Sequence, residues 1–311
     1  MNIQEDYLYW GYGMLRNFDE VIEKVKAFHE MKRCGVCMAD EAAIGGALAG
    51  EELELAKPIF VGHEDEIRKI LKEKGANKDY EIINVESDSE GAEKVVELVR
   101  EGKIDFILKG HIETAVLMKA VVDKEKGLRT DRLMSHMSFE QVPTYHKLIT
   151  ITDGGMCMYP DVEQKQKIIE NAVEIYHKLG YECPKVACLS AIEKVNPKMP
   201  STVDAGELKA RNQRGEIKDC LVEGPISFDL AYSKRAKEIK EYDSEVAGDP
   251  DILLAPDIQA GNILDKTFNF AAQGKMAGFI VGAKCLILLT SRSASAEEKY
   301  LSIAMAALVN K

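Results

Sequence analysis

"KPIFVGHEDEIRKILKEKG", residues 57–75, changes its periodicity part-way through. Residues 59–61 form a short apolar run of the kind a buried strand uses. After His63 the apolar positions move to 67, 70 and 71, which is helical spacing. Glu64, Asp65 and Glu66 stand where a helix start favours negative charge, and Gly75 stands where a chain leaves a helix. The stretch reads as strand, then helix. The same order recurs in "CGVCMA" (34–39) before a small-residue helix over about 40–50, and in "YEIINV" (80–85) before "SEGAEKVVELVREG". It recurs again in "IDFILKG" (104–110) before "IETAVLMKAVVDKEKG". Ser89 is expected to open one of these helices, and Gly102 and Gly127 to close two. Short strands alternating with helices predict βαβ units and a parallel sheet.

The middle of the chain breaks the rhythm. "LMSHMSFEQV" and "HKLITITDGG" read as two strands joined near "PTYH", an antiparallel excursion. A long amphipathic helix follows in "DVEQKQKIIENAVEIYHKLGY", then strands in "KVACLSA", "IKDCLVEG" and "DILLAPD". Helices are expected around 205–214, from about 228 to 239, and over 295–309 after "MAGFIVGAKCLILLTS". At the N-terminus Tyr7, Tyr9, Trp10, Tyr12 and Phe18 cluster, either capping the first lobe or joining a subunit contact, where Tyr and Trp are enriched.

Composition narrows the function classes. At 311 residues the chain is long enough for two lobes. A formal charge of −11 repels a phosphate backbone, so no nucleic-acid partner is expected. No apolar run is long enough for a membrane span, no signal peptide is visible at "MNIQEDYLYW", and neither membrane nor export is expected. Seven cysteines (34, 37, 157, 183, 188, 220 and 285) are an odd number, several within apolar runs, which suits reduced thiols in a cytoplasm. "CGVC" has CxxC spacing but no second pair, so buried thiols are the simpler reading.

Parallel α/β sheets bind ligands beyond the carboxyl ends of their strands. The residues there are Lys109-Gly110, Asp153-Gly154-Gly155, Ser190, Gly224-Pro225, Asp257 and Ser291-Arg292. Glycines allow close backbone approach and helix starts offer N–H groups, so the set suits an anion. GxGxxG, GxxxxGK[ST], GxSxG and HExxH are all absent, and no carboxylate cluster resembles a divalent-metal cage. No metal is therefore expected. His111 is the one histidine near these positions.

Seven blocks recur in order: "ILKG" (107–110), "KGLRT" (126–130), "ITDGGMCMYPDVEQKQKIIENAV" (151–173), "LSAIEKVNPKMPSTVDA" (189–205), "GPISFDLA" (224–231), "APDIQAGNILDK" (255–266) and "LTSRSAS" (289–295). Together they closely resemble the phosphate acetyl/butyryltransferase family, its butyryl branch above all, from about residue 33 to the C-terminus. The resemblance implies a two-lobed α/β fold like that of isocitrate and isopropylmalate dehydrogenases. Each lobe would hold a mostly parallel sheet flanked by helices, with the active cleft between them. Lobes are expected over 1–132 plus 275–311 and over 133–274.

The implied reaction converts a short-chain acyl-CoA, butanoyl-CoA foremost, and orthophosphate to acyl phosphate and CoA by direct transfer. Coenzyme A and phosphate are substrates, no cofactor is implied, and a homodimer or higher homo-oligomer is. Acetyl-transferring relatives end their last strand in Ser-Arg and carry a catalytic aspartate seven residues after the serine. Ser291 and Arg292 match, and Glu298 stands at the aspartate's position, one methylene longer. The implied roles are a hydrogen bond to the oxyanion from Ser291, a bidentate phosphate clamp from Arg292, and proton abstraction from the CoA thiol by Glu298, with Asp153 the second candidate base. Those relatives also carry an arginine after the fourth strand where this chain has none, which leaves Lys109, Lys119 or Arg129 to supply charge. Lys109, Gly110, Arg129, Gly224, Pro225, Gln259, Gly261 and Asn262 complete the implied phosphate and CoA contacts. The rival readings are an acetyl-CoA-specific enzyme, a non-catalytic CoA or acyl-phosphate sensor, and a decarboxylating dehydrogenase of similar fold.

Overall fold

The computed structural model describes residues 14–28, 30–76, 78–290 and 294–311. After α1 (Phe18–Lys26) the chain runs β1 (Lys32–Cys37), α2 (Glu41–Glu52), β2 (Ala56–Gly62), α3 (Glu64–Glu73), β3 (Ile82–Asn84), α4 (Asp88–Arg100), β4 (Phe106–Lys109), α5 (Thr114–Val121) and β5 (Ser135–Gln141). It continues through β6 (Ile149–Thr152), α6 (Val162–Lys178), β7 (Lys185–Leu189), α7 (Pro200–Gln213), β8 (Leu221–Ile226), α8 (Phe228–Tyr232), α9 (Lys234–Ile239), β9 (Ile252–Leu254) and α10 (Ile258–Lys266). A single π-helical turn at Thr267–Ala271 leads to β10 (Lys275–Val281), β11 (Leu286–Leu288) and α11 (Ala296–Val309). The result is an α/β fold built on a mostly parallel sheet flanked by helices.

Two compact units divide the chain. One comprises Phe18–Phe139 and Lys275–Lys311; the other comprises residues 14–17 and Glu140–Gly274. The expected lobes, 1–132 plus 275–311 and 133–274, differ in two details. Most of β5 belongs with the first unit, so that segment runs to Phe139. Residues 14–17 group with the second, because the Leu15 amide donates to the Tyr181 hydroxyl at 2.7 Å and the Leu148 amide donates to the Leu15 carbonyl at 2.8 Å. Tyr7, Tyr9, Trp10 and Tyr12 lie outside the described residues.

In the first unit the strands stand in the order β3-β2-β1-β4-β11-β10-β5. β1 pairs in parallel with β2 and β4, β4 with β11, and β2 with β3, while β10 runs antiparallel to β11. Phe60, Phe106, Ile107 and Phe279 fill its core. Residues 301–309 of α11 are all buried, as an all-round small and apolar sequence requires. α11 lies close against α2, whose "GGALAG" run makes room: a Cβ on Gly46 would sit 2.5 Å from the Lys299 Cβ, and one on Gly50 3.4 Å from Ile303.

The second unit orders its strands β6-β9-β7-β8, all parallel. Its core gathers Ile149, Ile151, Ala187, Ile226, Leu230, Leu253 and Phe268. Lys147 is buried there and donates to the Asp251 carboxylate at 2.6 Å.

Several helix limits differ from the sequence reading for local reasons. Ser87, not Ser89, caps α4, its hydroxyl accepting from the Glu90 amide. α5 stops at Val121 because the Asp123 carboxylate takes the amides of Glu125 and Lys126 and turns the chain. The expected 228–239 helix is two short ones, since Ser233 leaves helical geometry and caps the second through the Ala236 amide. Pro200 starts α7 earlier than expected, where its missing N–H costs nothing. Gly75 and Gly102 follow their helices at positive φ, as expected.

Candidate active site

Strand ends of the first unit hold one group of the implied residues. β4 ends at Lys109, only 3% exposed, whose ammonium donates to the Gly110 carbonyl at 3.3 Å. Gly110 must be glycine: a Cβ there would lie 2.2 Å from the Met38 carbonyl oxygen, and its amide donates to the Cys37 carbonyl at 2.8 Å. The chain leaving β4 is thus fastened to the chain leaving β1, where Asp40 caps α2 through the Ala43 amide. Cys34 and Cys37, the CxxC pair, are buried thiols, and burial pushes Cys37 up to about 12, far from a reactive thiolate.

At the other end of this group, Ser295 and Glu298 form a capping box. The Ser295 hydroxyl accepts from the Glu298 amide at 3.2 Å, and the Glu298 carboxylate accepts from the Ser295 amide at 3.1 Å. Lys299 follows, 4% exposed, donating to the Thr290 hydroxyl at 2.8 Å. Burial lowers the Lys299 pKa, Asp40 works against that, and the Lys109 charge adds to it. Lys109, Lys299 and Asp40 are therefore electrostatic neighbours. Ser291 and Arg292 lie outside the described residues. Arg129 is exposed and forms a lone bridge with Ala283, and Lys119 lines an open groove between α4 and α5.

The second unit holds the rest. Asp153, 2% exposed at the end of β6, accepts from the amides of Gly155 at 2.8 Å and Met156 at 2.7 Å. The turn after it presses on the start of α10: a Cβ on Gly154 would lie 2.9 Å from Gly261, and one on Gly261 would lie 2.6 Å from the Asp153 carbonyl oxygen. Glycine is needed on both sides. Asn262 is exposed and reaches back to the Gly154 carbonyl at 3.2 Å, Asp257 caps α10, and Gln259 donates to the exposed Tyr159 hydroxyl at 2.6 Å. Cys157 is half-buried; burial first and then the Asp153 carboxylate push its thiol up to about 12. Gly224 and Pro225 lie buried within β8, where a Cβ on Gly224 would meet Cys188 at 2.7 Å, so their visible work is packing. Ser190 shares a hydrogen bond with Ser201 at 3.0 Å.

A family model described as phosphate acetyl/butaryl transferase matches residues 63–307. The chain belongs to that family. Across 298 residues it is 41% identical to the phosphate butyryltransferase of Clostridium acetobutylicum, covering 95% of this chain and 99% of the relative. The phosphate acetyltransferase of Thermotoga maritima is 40% identical over 279 residues, 89% of this chain and 95% of its own. Among solved structures, a branched-chain phosphotransacylase from Enterococcus faecalis V583 superposes with a TM-score of 0.79 at 32% identity, over 90% of this chain and 99% of the other.

Within this member of the family, two features of the candidate site have no sequence signal of their own. Lys299 reads as a solvated helix-start lysine beside two glutamates, yet it is buried. Tyr159 reads as loop, yet its hydroxyl anchors Gln259. Among the described residues, no group of three or more His, Cys, Asp or Glu is arranged to hold a metal ion, and no helix is long and apolar enough to cross a membrane.

Proposed function

We propose that this chain is a phosphate acyltransferase that exchanges orthophosphate and CoA on a short acyl group, butanoyl foremost. The observation that carries the reading is the end-to-end 41% identity to a phosphate butyryltransferase, joined to seven strand-end blocks in register. In the direction from acyl phosphate, the CoA thiol gives its proton to a carboxylate. Its sulfur then bonds to the carbonyl carbon, and the bond from that carbon to the phosphate oxygen breaks to release orthophosphate. Glu298 is the proposed base: a carboxylate offers about four lone-pair sites, so accepting the Ser295 amide leaves room for a thiol. Asp153 is the second candidate. Ser291 donates to the oxyanion and Arg292 clamps phosphate. Lys109, Gly110, Arg129, Gln259, Gly261, Asn262, Gly224 and Pro225 are assigned to phosphate and CoA.

Phosphorus NMR tests the reading: orthophosphate and butanoyl-CoA should give an acyl phosphate resonance without added metal or nicotinamide. A static orthophosphate signal would overturn it. Comparing kcat/KM for acetyl-, propionyl-, butanoyl- and branched acyl-CoA sets the chain length, since one methylene is worth about 1–3 kcal/mol in a pocket. Arg292→Lys keeps the charge but loses the planar fork, so the KM for phosphate should rise by more than the KM for acyl-CoA.

Two further assignments rest on the same reading. Five of the seven cysteines are buried and all are free, which fits a reducing compartment, and we assign the protein to the cytoplasm. Exposed Ile239, Ile263 and Phe270 are apolar surface that a contact between copies would cover, and we assign a homo-oligomer. Sedimentation velocity returning only a monomer would contradict that assignment.

A further inference from the structure

The loop between β7 and α7, residues 190–199, is pinned from several sides. Buried Thr202 accepts from the Asn196 amide at 2.8 Å and donates to the Met199 carbonyl at 2.7 Å. The Asn196 side chain accepts from the Lys198 amide at 3.0 Å, and the Ser190 and Ser201 hydroxyls pair. Val195 packs so closely on α7 that a Cβ on Gly206 would lie 2.6 Å from its side chain. Charges on this loop and on α7 are answered, with two exceptions. Glu193 meets the Ser227 hydroxyl and lies 3.7 Å from the Lys240 ammonium. Asp204 pairs with Lys165, Glu207 with Arg211 and Arg214, and Lys209 with Glu223. The ammonium groups of Lys194 and Lys198 are exposed and have no ion pair or hydrogen bond among the described residues. In a chain of formal charge −11, two unanswered lysines on a fixed loop attract an anion.

Their place in the sheet indicates which anion. β6, β9, β7 and β8 are all parallel, so the loop after β7 shares an edge with Asp153 and with the start of α10. That is the edge at which parallel sheets bind ligands. Gly224, Pro225, Gln259, Gly261 and Asn262, this unit's residues assigned to phosphate and CoA, carry no charge. A compact ion such as orthophosphate is held best by donors converging on one point. Exposed lysines four residues apart suit phosphates spread along a molecule, which lysine meets as a point charge. We propose that Lys194 and Lys198 bind the phosphates of coenzyme A, its 3′-phosphate and its diphosphate, and so anchor the end remote from the thiol. This rests on the phosphate acyltransferase reading.

Lys194→Gln, Lys198→Gln and the double variant test this, with Lys218→Gln as control. Lys218 is an exposed lysine just before the start of β8, at the opposite end of the strands. All four variants should fold as the parent does, since the side chains are on the surface. By calorimetry, the CoA dissociation constant should rise about threefold in each single variant and about tenfold in the double one, the scale of exposed charge pairs. Added salt should weaken CoA binding less in the double variant than in the parent. The KM for CoA should follow, while kcat and the orthophosphate dissociation constant stay, because a contact equal in ground and transition states changes binding alone. Parental CoA affinity in the double variant would overturn the proposal. So would an equal weakening of orthophosphate, or an equal effect of Lys218→Gln. A parent that binds CoA through these lysines yet forms no acyl phosphate would instead strike the acyltransfer reading alone.

Discussion

Glu298→Gln is expected to lower kcat in the acyl phosphate to acyl-CoA direction by about 10²–10⁴-fold, the usual loss on removing a general base. Both KM values should change little. The substitution is informative because of what it spares. Glutamine serves as well as glutamate at the third helical position of a capping box, so the Ser295 pairing and the start of α11 survive. A catalytic loss can then be ascribed to the proton and not to the helix. A variant with near-parental kcat and an intact fold would reduce Glu298 to a helix-capping carboxylate and pass the role of base to Asp153. Stopped-flow thiol consumption with butanoyl phosphate and CoA gives the rate directly.

Lys147→Met should destabilise the unit containing Glu140–Gly274 by about 3–5 kcal/mol, the range for removing one partner of a buried ion pair. Lys147 and Asp251 have side chains 4% and 6% exposed and meet at 2.6 Å. Without the lysine, the Asp251 carboxylate keeps, among the described residues, the hydrogen bond from the Lys185 amide at 2.8 Å and no second one. Denaturant melts monitored by a probe in this unit would measure the loss, and a value below about 1 kcal/mol would mean that water replaces the ammonium. The neighbouring Asp249 adds a pH dependence. Burial raises its pKa, but hydrogen bonds from Lys185 and Lys147 and the Lys147 charge outweigh that and hold it well below the usual range. A carboxylate depressed in the folded state contributes stability that is present above its unfolded pKa of about 3.9 and is lost as pH falls through the folded value. The parent should therefore lose stability below about pH 4, and Asp249→Asn should flatten that dependence.

Much of the fold is written in local pattern. The switch from an apolar run to helical spacing at His63 marks β2 and α3, and Gly75 and Gly102 end helices because a positive φ suits only glycine without strain. Lys109, Asp153 and Asp257 stand where a parallel sheet places strand-end residues, whereas Gly224 and Pro225, expected beyond a strand, lie within β8. What escaped depends on partners remote in sequence. Lys147 and Asp251 are 104 residues apart, and nothing near either one signals the other. Lys299 carries the composition of a solvated helix start, yet it is buried, with Gly46 of α2 packed close to its Cβ and Thr290 accepting from its ammonium. Ser233 and Asp123 break predicted helices by accepting hydrogen bonds from nearby amides, one at Ser233 and two at Asp123, a competition that hydrophobic periodicity does not register.

The central claim is that acyl transfer requires orthophosphate as the acceptor. Thiol release from butanoyl-CoA, followed continuously while orthophosphate is raised from zero, tests it most directly. The account predicts no release without phosphate, a hyperbolic rise with it, and one acyl phosphate formed per thiol. Release at an unchanged rate in the absence of phosphate would identify a thioesterase and contradict it.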